Sequence, residues 1–403
     1  MLEAEHRMDT LFTDSETHVK GIERLAREAA PLLEKSAAEY LGLEVRSVLN
    51  RCSSPRMPFA WTINPYRGCE FGCRYCYARY THEFMGLNRW EDFEEKIYVK
   101  RDAARILARE LTPERLDGQS IALGTATDPY QPAERRYRVT RSLLEVMAMA
   151  RDLCLSITTK GDLITRDLDL LRRIGTRSSL QVNMTVTTLD RKLARILEFR
   201  APRPDLRLQA LHRLRQAGIA AGVTISPILP DITDGQANLE AVIAAARTHD
   251  ASHIHYNVLF LKPLARQAFF AFLERHFPHL RGRYAARFAR SAFLDRSYKG
   301  RVSQLMRALK AQHGFTSQVD FEMPAPVHEA EGEQQQLLHI ESNPSSLPCV
   351  GHPPPLRCDP QGASGASCPD AAPACASNKR PHGGEGSVSA RRGNPHSVDT
   401  SNT

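Results

Sequence analysis

No apolar run of about 18 residues or more occurs in this chain of 403 residues, which excludes a membrane-spanning helix. The first residues, MLEAEHRMDTLF, lack the basic and then apolar stretch of a secretory signal. Without export, the nine cysteines are expected as thiols or metal ligands and not as a disulfide framework, and the expected location is cytoplasmic. Apolar residues are sparse beyond Ala325, where 11 of the 25 prolines fall beside small-residue stretches such as QGASGAS. Too little surface can be buried there to offset chain entropy, so residues 325–403 are expected to form a disordered tail. No CxxC pair links the tail's Cys349, Cys358, Cys368 and Cys375, and incidental thiols are a simpler reading of them than zinc.

What precedes the tail has the composition of a globular protein and room for one large domain or two ordinary ones. The tail holds five Lys/Arg and eight Asp/Glu, so the chain's net charge of +8 leaves +11 on the body. A basic body suits a polyanion such as nucleic acid, although arginine scattered over solvated helix faces gives the same total.

Within the body, short apolar runs alternate with helical patterns. FAWTINPY (59–66), SIALGTA (120–126), LCLSITT (153–159), SLQVNMTVT (179–187), GIAAGVTISPI (218–228) and SHIHYNVLF (252–260) read as strands. Helical periods fill 101–110, 140–152, 165–174, 189–198, 205–217 and 236–249. In 205–217, Leu206, Ala210, Leu214 and Ala217 recur at the spacing of one buried face. Thr165 is expected to cap one helix and Gly218 to follow another. Such alternation implies a mostly parallel sheet wrapped by helices, either a barrel or an open doubly wound sheet. In both, function gathers at the C-terminal ends of the strands.

At that end, directly after the first strand, stands GCEFGCRYCYAR (68–79), with Cys69, Cys73 and Cys76 at offsets of four and three. Zinc would need a fourth ligand, and His82 offers itself for a Cys3His site. Such a protein would bind nucleic acid without catalysing anything. An iron–sulfur cubane held by three thiolates keeps one iron open instead, which makes a reactive centre of it. A cluster serving only as an electron carrier would want a fourth cysteine and no large scaffold.

C-x3-C-x2-C with an aromatic before the last cysteine, placed after strand one of an α/β repeat, resembles the radical S-adenosylmethionine (SAM) superfamily. GTATDPYQPAERRYRVTR (124–141), ITTKGDLITRD (157–167), VTTLDRKLARILEFRAPRPDLRLQAL (186–211) and SPILPDITD (226–234) are similar to its spore photoproduct lyase-like family, often labelled DNA repair photolyases. The resemblance implies a partial (β/α)6 barrel of TIM type over 58–262. A polar, partly helical N-terminal extension over 1–57 precedes it, and a helical extension over 263–324 packs on it. It also implies a [4Fe–4S] cluster on Cys69, Cys73 and Cys76, whose open iron chelates SAM. The reduced cluster cleaves SAM to a 5′-deoxyadenosyl radical that abstracts hydrogen from a substrate. An external flavodoxin- or ferredoxin-like electron donor is implied as well, with DNA or another nucleic acid as the default substrate class.

Residue by residue, the resemblance places the backbone of Tyr75 at the SAM adenine and gives Tyr77 a place beside SAM as hydrogen-atom relay. Lys160 would pair with the SAM carboxylate. Thr185 matches a serine of the family's SAM site. Asn183, Thr185 and Thr187 alternate with Val182, Met184 and Val186 and so share one face, where SAM would partner them; an exposed edge strand is the competing account. Asp128 would steady ribose or substrate, or cap the turn before Pro129. Glu198 and Arg200 match a family pattern without an evident role. In 281–301, arginines interleave with Tyr284, Phe288, Phe293 and Tyr298, which suits either a nucleic-acid grip or an amphipathic helix docked on the barrel. One departure stands out. The lyases carry a hydrogen-donor cysteine near the end of strand two, whereas SIALGTATDPYQP has none and Cys154 only opens the next strand.

Overall fold

Each expected run becomes a strand because its alternate side chains have somewhere apolar to go. The structure, a computed structural model, describes residues 21–315 apart from 28, 36, 37, 55, 56 and 117. The expected disordered tail with its four cysteines, residues 1–20 of the lead-in and 316–324 of the extension lie outside the described residues. The strands are β1 Ala30–Lys35, β2 Ala38–Gly42, β3 Leu49–Arg51, β4 Trp61–Ile63, β5 Tyr66–Arg67, β6 Lys96–Val99, β7 Ser120–Leu123, β8 Cys154–Thr159, β9 Ser179–Thr185, β10 Ala220–Ile228 and β11 Ile254–Val258.

In the larger sheet the order is β11-β10-β9-β8-β7-β4-β3, parallel from β4 through β11, with β3 antiparallel at one edge. A doubly wound sheet reverses its order at a switch point, and this one never does. It is the singly wound (β/α)6 arrangement of a partial barrel, and among the described residues β11 and β3 are its edges. Ile121, Leu123, Leu155, Ile157, Val182, Met184, Val223 and Ile225 bury one face. The alternate face carries Ser156, Gln181, Asn183, Thr185 and Thr224. Since β9 lies between β8 and β10, its polar stripe is interior and not an exposed edge.

Among the described residues, the lead-in holds strands as well as helix. It supplies one short helix, Ile22–Arg27, and the strands β1, β2 and β3. A second sheet, β1-β2-β6-β5, is the reason: β2 pairs parallel with β6, and β5 pairs antiparallel with β6. β5 and β6 flank the cysteine loop, so this sheet clamps its two ends. After β11 come the helices Pro263–His276, Arg281–Arg287 and Arg296–Gln312. Tyr284, Phe288 and Tyr298 are buried, as the amphipathic-helix reading of that segment requires. No helix among the described residues is long and apolar enough to cross a membrane.

Candidate active site at the cysteine loop

The loop is held by backbone geometry before any side chain is considered. Gly68 leaves β5 at φ +83°, and a Cβ there would sit 2.6 Å from the Lys96 carbonyl. Its own carbonyl accepts hydrogen bonds from Thr127 Oγ1 (2.6 Å) and Gln131 Nε2 (3.0 Å), while Gln131 Oε1 accepts from the Glu70 N–H (3.0 Å). Gly72, at φ +61°, is equally constrained: a Cβ would fall 2.2 Å from Glu94 Oε2 and 3.1 Å from the Phe199 ring. Arg79 is fully buried beneath the loop; its Nη2 donates to the Cys73 carbonyl at 2.9 Å and lies 3.7 Å from Glu94. A 3₁₀ helix, Tyr77–Met85, starts immediately after Cys76.

Cys69 and Cys73 are buried, Cys76 is half-buried, and none is in a disulfide. Burial raises all three thiols, Cys69 well above the ordinary range and Cys73 to about 12, and neighbouring thiols add to the effect at Cys69 and Cys73. Three crowded thiols that resist ionisation are poor candidates for free nucleophiles; a metal centre that supplies positive charge makes sense of them. Among the described residues, no three His, Cys, Asp or Glu side chains converge on one point as a single ion would require. A cubane spreads its ligands over separate irons and makes no such demand. His82, the fourth ligand of the Cys3His alternative, belongs to no group of ion-holding side chains among the described residues. It is buried 5.1 Å from the Phe93 ring, and its Nε2 lies 3.1 Å from the Lys96 carbonyl.

A buried charge network lies behind Tyr75. The Tyr75 hydroxyl donates to Glu198 Oε1, and Arg207 Nη2 meets Glu198 Oε2 at 2.5 Å. Arg207 also donates to the Thr185 carbonyl (3.1 Å) and the Pro202 carbonyl (2.7 Å), joining the end of β9 to the helix Pro204–Gln216. Burial opposes the charge on Glu198, but Arg207 and Lys160 outweigh it and hold the carboxyl below its ordinary range. Lys160 Nζ stands 5.6 Å from the Tyr75 ring centroid. Burial works against its charge too, yet Cys73 and Glu198 keep the ammonium above the ordinary lysine range.

Asp128 links this group to strand β8: Oδ1 accepts from Thr159 Oγ1 (2.6 Å) and the Tyr130 N–H (2.9 Å), and Oδ2 from the Lys160 N–H (2.7 Å). Thr185 is buried where β9 ends. Asn183 lies two residues deeper, its amide engaged with Ser156 Oγ (2.9 Å) and His253 Nε2 (2.9 Å). Tyr77 is 36% exposed, lies tilted against Phe260 with ring centroids 5.1 Å apart and donates to the Thr125 carbonyl. Cys154 is exposed at the opposite, N-terminal end of β8. The structure thus gathers Cys69, Cys73, Cys76, Tyr75, Lys160 and Asp128, sets Tyr77 at the rim, and ties Asn183 into a separate network.

The radical SAM superfamily model matches residues 63–240. An uncharacterized protein of Mycobacterium tuberculosis (Rv2578c) is 34% identical over 269 residues, covering 66% of this chain and 79% of its own. The chain belongs to the radical SAM superfamily. An uncharacterized protein of Methanocaldococcus jannaschii (MJ0683) is 28% identical over 243 residues, 60% of this chain and 85% of its own. A spore photoproduct lyase variant solved with AdoMet and dinucleoside spore photoproduct shares the fold at a TM-score of 0.51 and 15% identity, over 69% of this chain and 79% of that one. As a radical SAM enzyme, the protein binds SAM, and its cofactors are SAM and a [4Fe–4S] cluster.

Sequence reasoning missed the supports of this radical SAM site: Thr127, Gln131, Arg79 and Arg207. Arg207 carried a signal, for it falls on the helix face of Ala210, Leu211 and Leu214, where a charge must find a partner. Glu198, without a role from sequence, is that partner.

Proposed function

We propose that Cys69, Cys73 and Cys76 hold the cluster with one iron left to SAM, and that the enzyme abstracts hydrogen from an organic substrate of lyase-like type. The observation that carries this reading is three thiols, two buried and one half-buried, on one clamped loop. When bound, the reduced cluster and SAM supply a 5′-deoxyadenosyl radical. The chain's own groups orient and shield. The Lys160 ammonium, kept charged beside Tyr75, pairs with the SAM carboxylate. Tyr75 covers the adenine side of the loop, and Thr185 meets SAM from the end of β9. Asp128 acts by fixing the Lys160 backbone, since its oxygens already accept three protein donors. Asn183 belongs to the wall below. Tyr77, at the rim, stands between cofactor and substrate as the hydrogen-atom relay.

A nucleic-acid lesion is the substrate class that the likeness to a spore photoproduct lyase suggests. The described cysteines leave no donor at the end of β7, and Cys154 is at the wrong end of β8, so the spore photoproduct itself is not assigned. Anaerobic reconstitution should give a brown protein absorbing near about 400 nm, and dithionite with SAM should release 5′-deoxyadenosine. Cys73→Ala should lose both. A colourless protein with one tightly bound zinc would overturn the reading.

A further inference from the structure

Arg79 has no exposure at all, and its guanidinium lies directly beneath the cysteine loop. Such a group carries five N–H donors and no acceptor, so its burial is costly unless the fold supplies partners. Nη1 donates to the Trp90 carbonyl (2.5 Å) and Nη2 to the Cys73 carbonyl (2.9 Å). Its central carbon stands 5.2 Å from the Trp90 ring centroid and 5.8 Å from that of Phe93, and Glu94 at 3.7 Å supplies the opposite charge. Nε is buried as well, yet its N–H has no hydrogen-bond partner among the described residues. A buried donor left in this way calls for an acceptor.

The direction of the Nε–H follows from the shape of the group. In a planar guanidinium the Nε–H and one N–H of Nη2 run side by side along one edge. Nη2 sits on the Cys73 carbonyl, so this edge faces the loop. The same carbonyl accepts the Cys76 N–H at 3.2 Å, which sets the edge beside Cys76, where the 3₁₀ helix begins. We propose that Arg79 donates its Nε–H to a sulfur of the bound cluster at the Cys76 corner and thereby raises the cluster's reduction potential. The proposal rests on the reading that the three cysteines hold a cluster. Cluster sulfurs carry negative charge, and more of it after reduction, so a fixed donor and a buried cation both favour the reduced state. The two Nη groups hold the loop, whereas Nε acts on the cofactor.

The test uses the reconstituted full chain with the heavy nitrogen isotope in its arginine side chains, compared with Arg79→Lys labelled alike. After reduction with dithionite, pulsed electron paramagnetic resonance of the wild-type cluster should show coupling to a labelled nitrogen that the variant lacks. Redox titration without SAM should find Arg79→Lys harder to reduce, its oxidised-to-reduced ratio about tenfold higher at a given potential, or about 59 mV for one electron. Arg79→Met, which removes the charge too, should move further in the same direction. A wild-type cluster without the coupling, or an Arg79→Lys cluster at the wild-type potential, would overturn the proposal and leave the cluster reading standing. If Arg79→Lys takes up no cluster, the wild-type coupling decides alone. A wild type that takes up no cluster overturns both readings together.

Discussion

Glu198 is the residue on which the site's electrostatics turn. It accepts from Tyr75 and faces Arg207, with Lys160 close behind, so two cations share one buried carboxylate next to Cys73. Glu198→Gln keeps an acceptor for Tyr75 and removes the charge. Arg207 and Lys160 are then uncompensated, and the expected result is a cluster with a less negative reduction potential, read by redox titration. A stability loss of roughly 3–5 kcal/mol in chemical denaturation should accompany it, because a buried cation is left without its partner. Glu198→Gln combined with Arg207→Met should recover part of that loss, since the pair is then removed together. Glu198→Gln with an unchanged potential and unchanged stability would mean that the network is neither electrostatic nor structural.

At the scale of elements, β10 is the strand most exposed to a single substitution. His253, just ahead of β11, crosses it to reach Asn183 on β9 at 2.9 Å, and only the missing side chain of Gly222 allows the crossing. A Cβ at Gly222 would lie 2.3 Å from the His253 carbonyl and 2.5 Å from its Nε2. The carbonyl accepts from the Val223 N–H at 3.0 Å and cannot retreat without loosening β11. Gly222→Ala should therefore cost about 1–3 kcal/mol and speed hydrogen exchange over Ile254–Val258 ahead of β8 and β9.

Elements with strong local periodicity were legible in the sequence. All six core strands and their helices stand where the alternation put them, and Gly218 follows Pro204–Gln216 as expected. What could not be read depends on distant partners. β1 pairs with β2, β2 with β6 and β3 with β4, so these strands exist through partners distant in sequence or through each other. Thr165, expected as a cap, sits inside a 3₁₀ turn with its hydroxyl on the Asp162 carbonyl at 2.9 Å, because Asp167 stands at the helix start and is held by Arg141 and Arg166. The three cysteines announced themselves by spacing alone. Most of their supports did not, since a polar residue such as Thr127 or Gln131 looks solvated until the chain folds over it.

Taken as a whole, the molecule couples its stability to acid through imidazoles that the fold keeps neutral. Burial is the main cause in His82, lowered from 6.5 to about 4, with Arg67 and Arg79 adding to it and the Lys96 carbonyl and Asp92 opposing. In His253, burial and then His255 lower it to about 3. Between these values and 6.5 the unfolded chain binds protons that the folded chain refuses, so the stability due to the neutral rings is complete above about 6.5 and is lost as pH falls toward about 4. For His82 the difference is worth roughly 3 kcal/mol. Urea midpoints of the cluster-free chain should fall across that window, and His82→Phe should flatten the slope by about one proton, since a phenyl ring can keep the contacts with Phe93 and Tyr98. A His82→Phe variant as acid-sensitive as the wild type would place the proton uptake elsewhere.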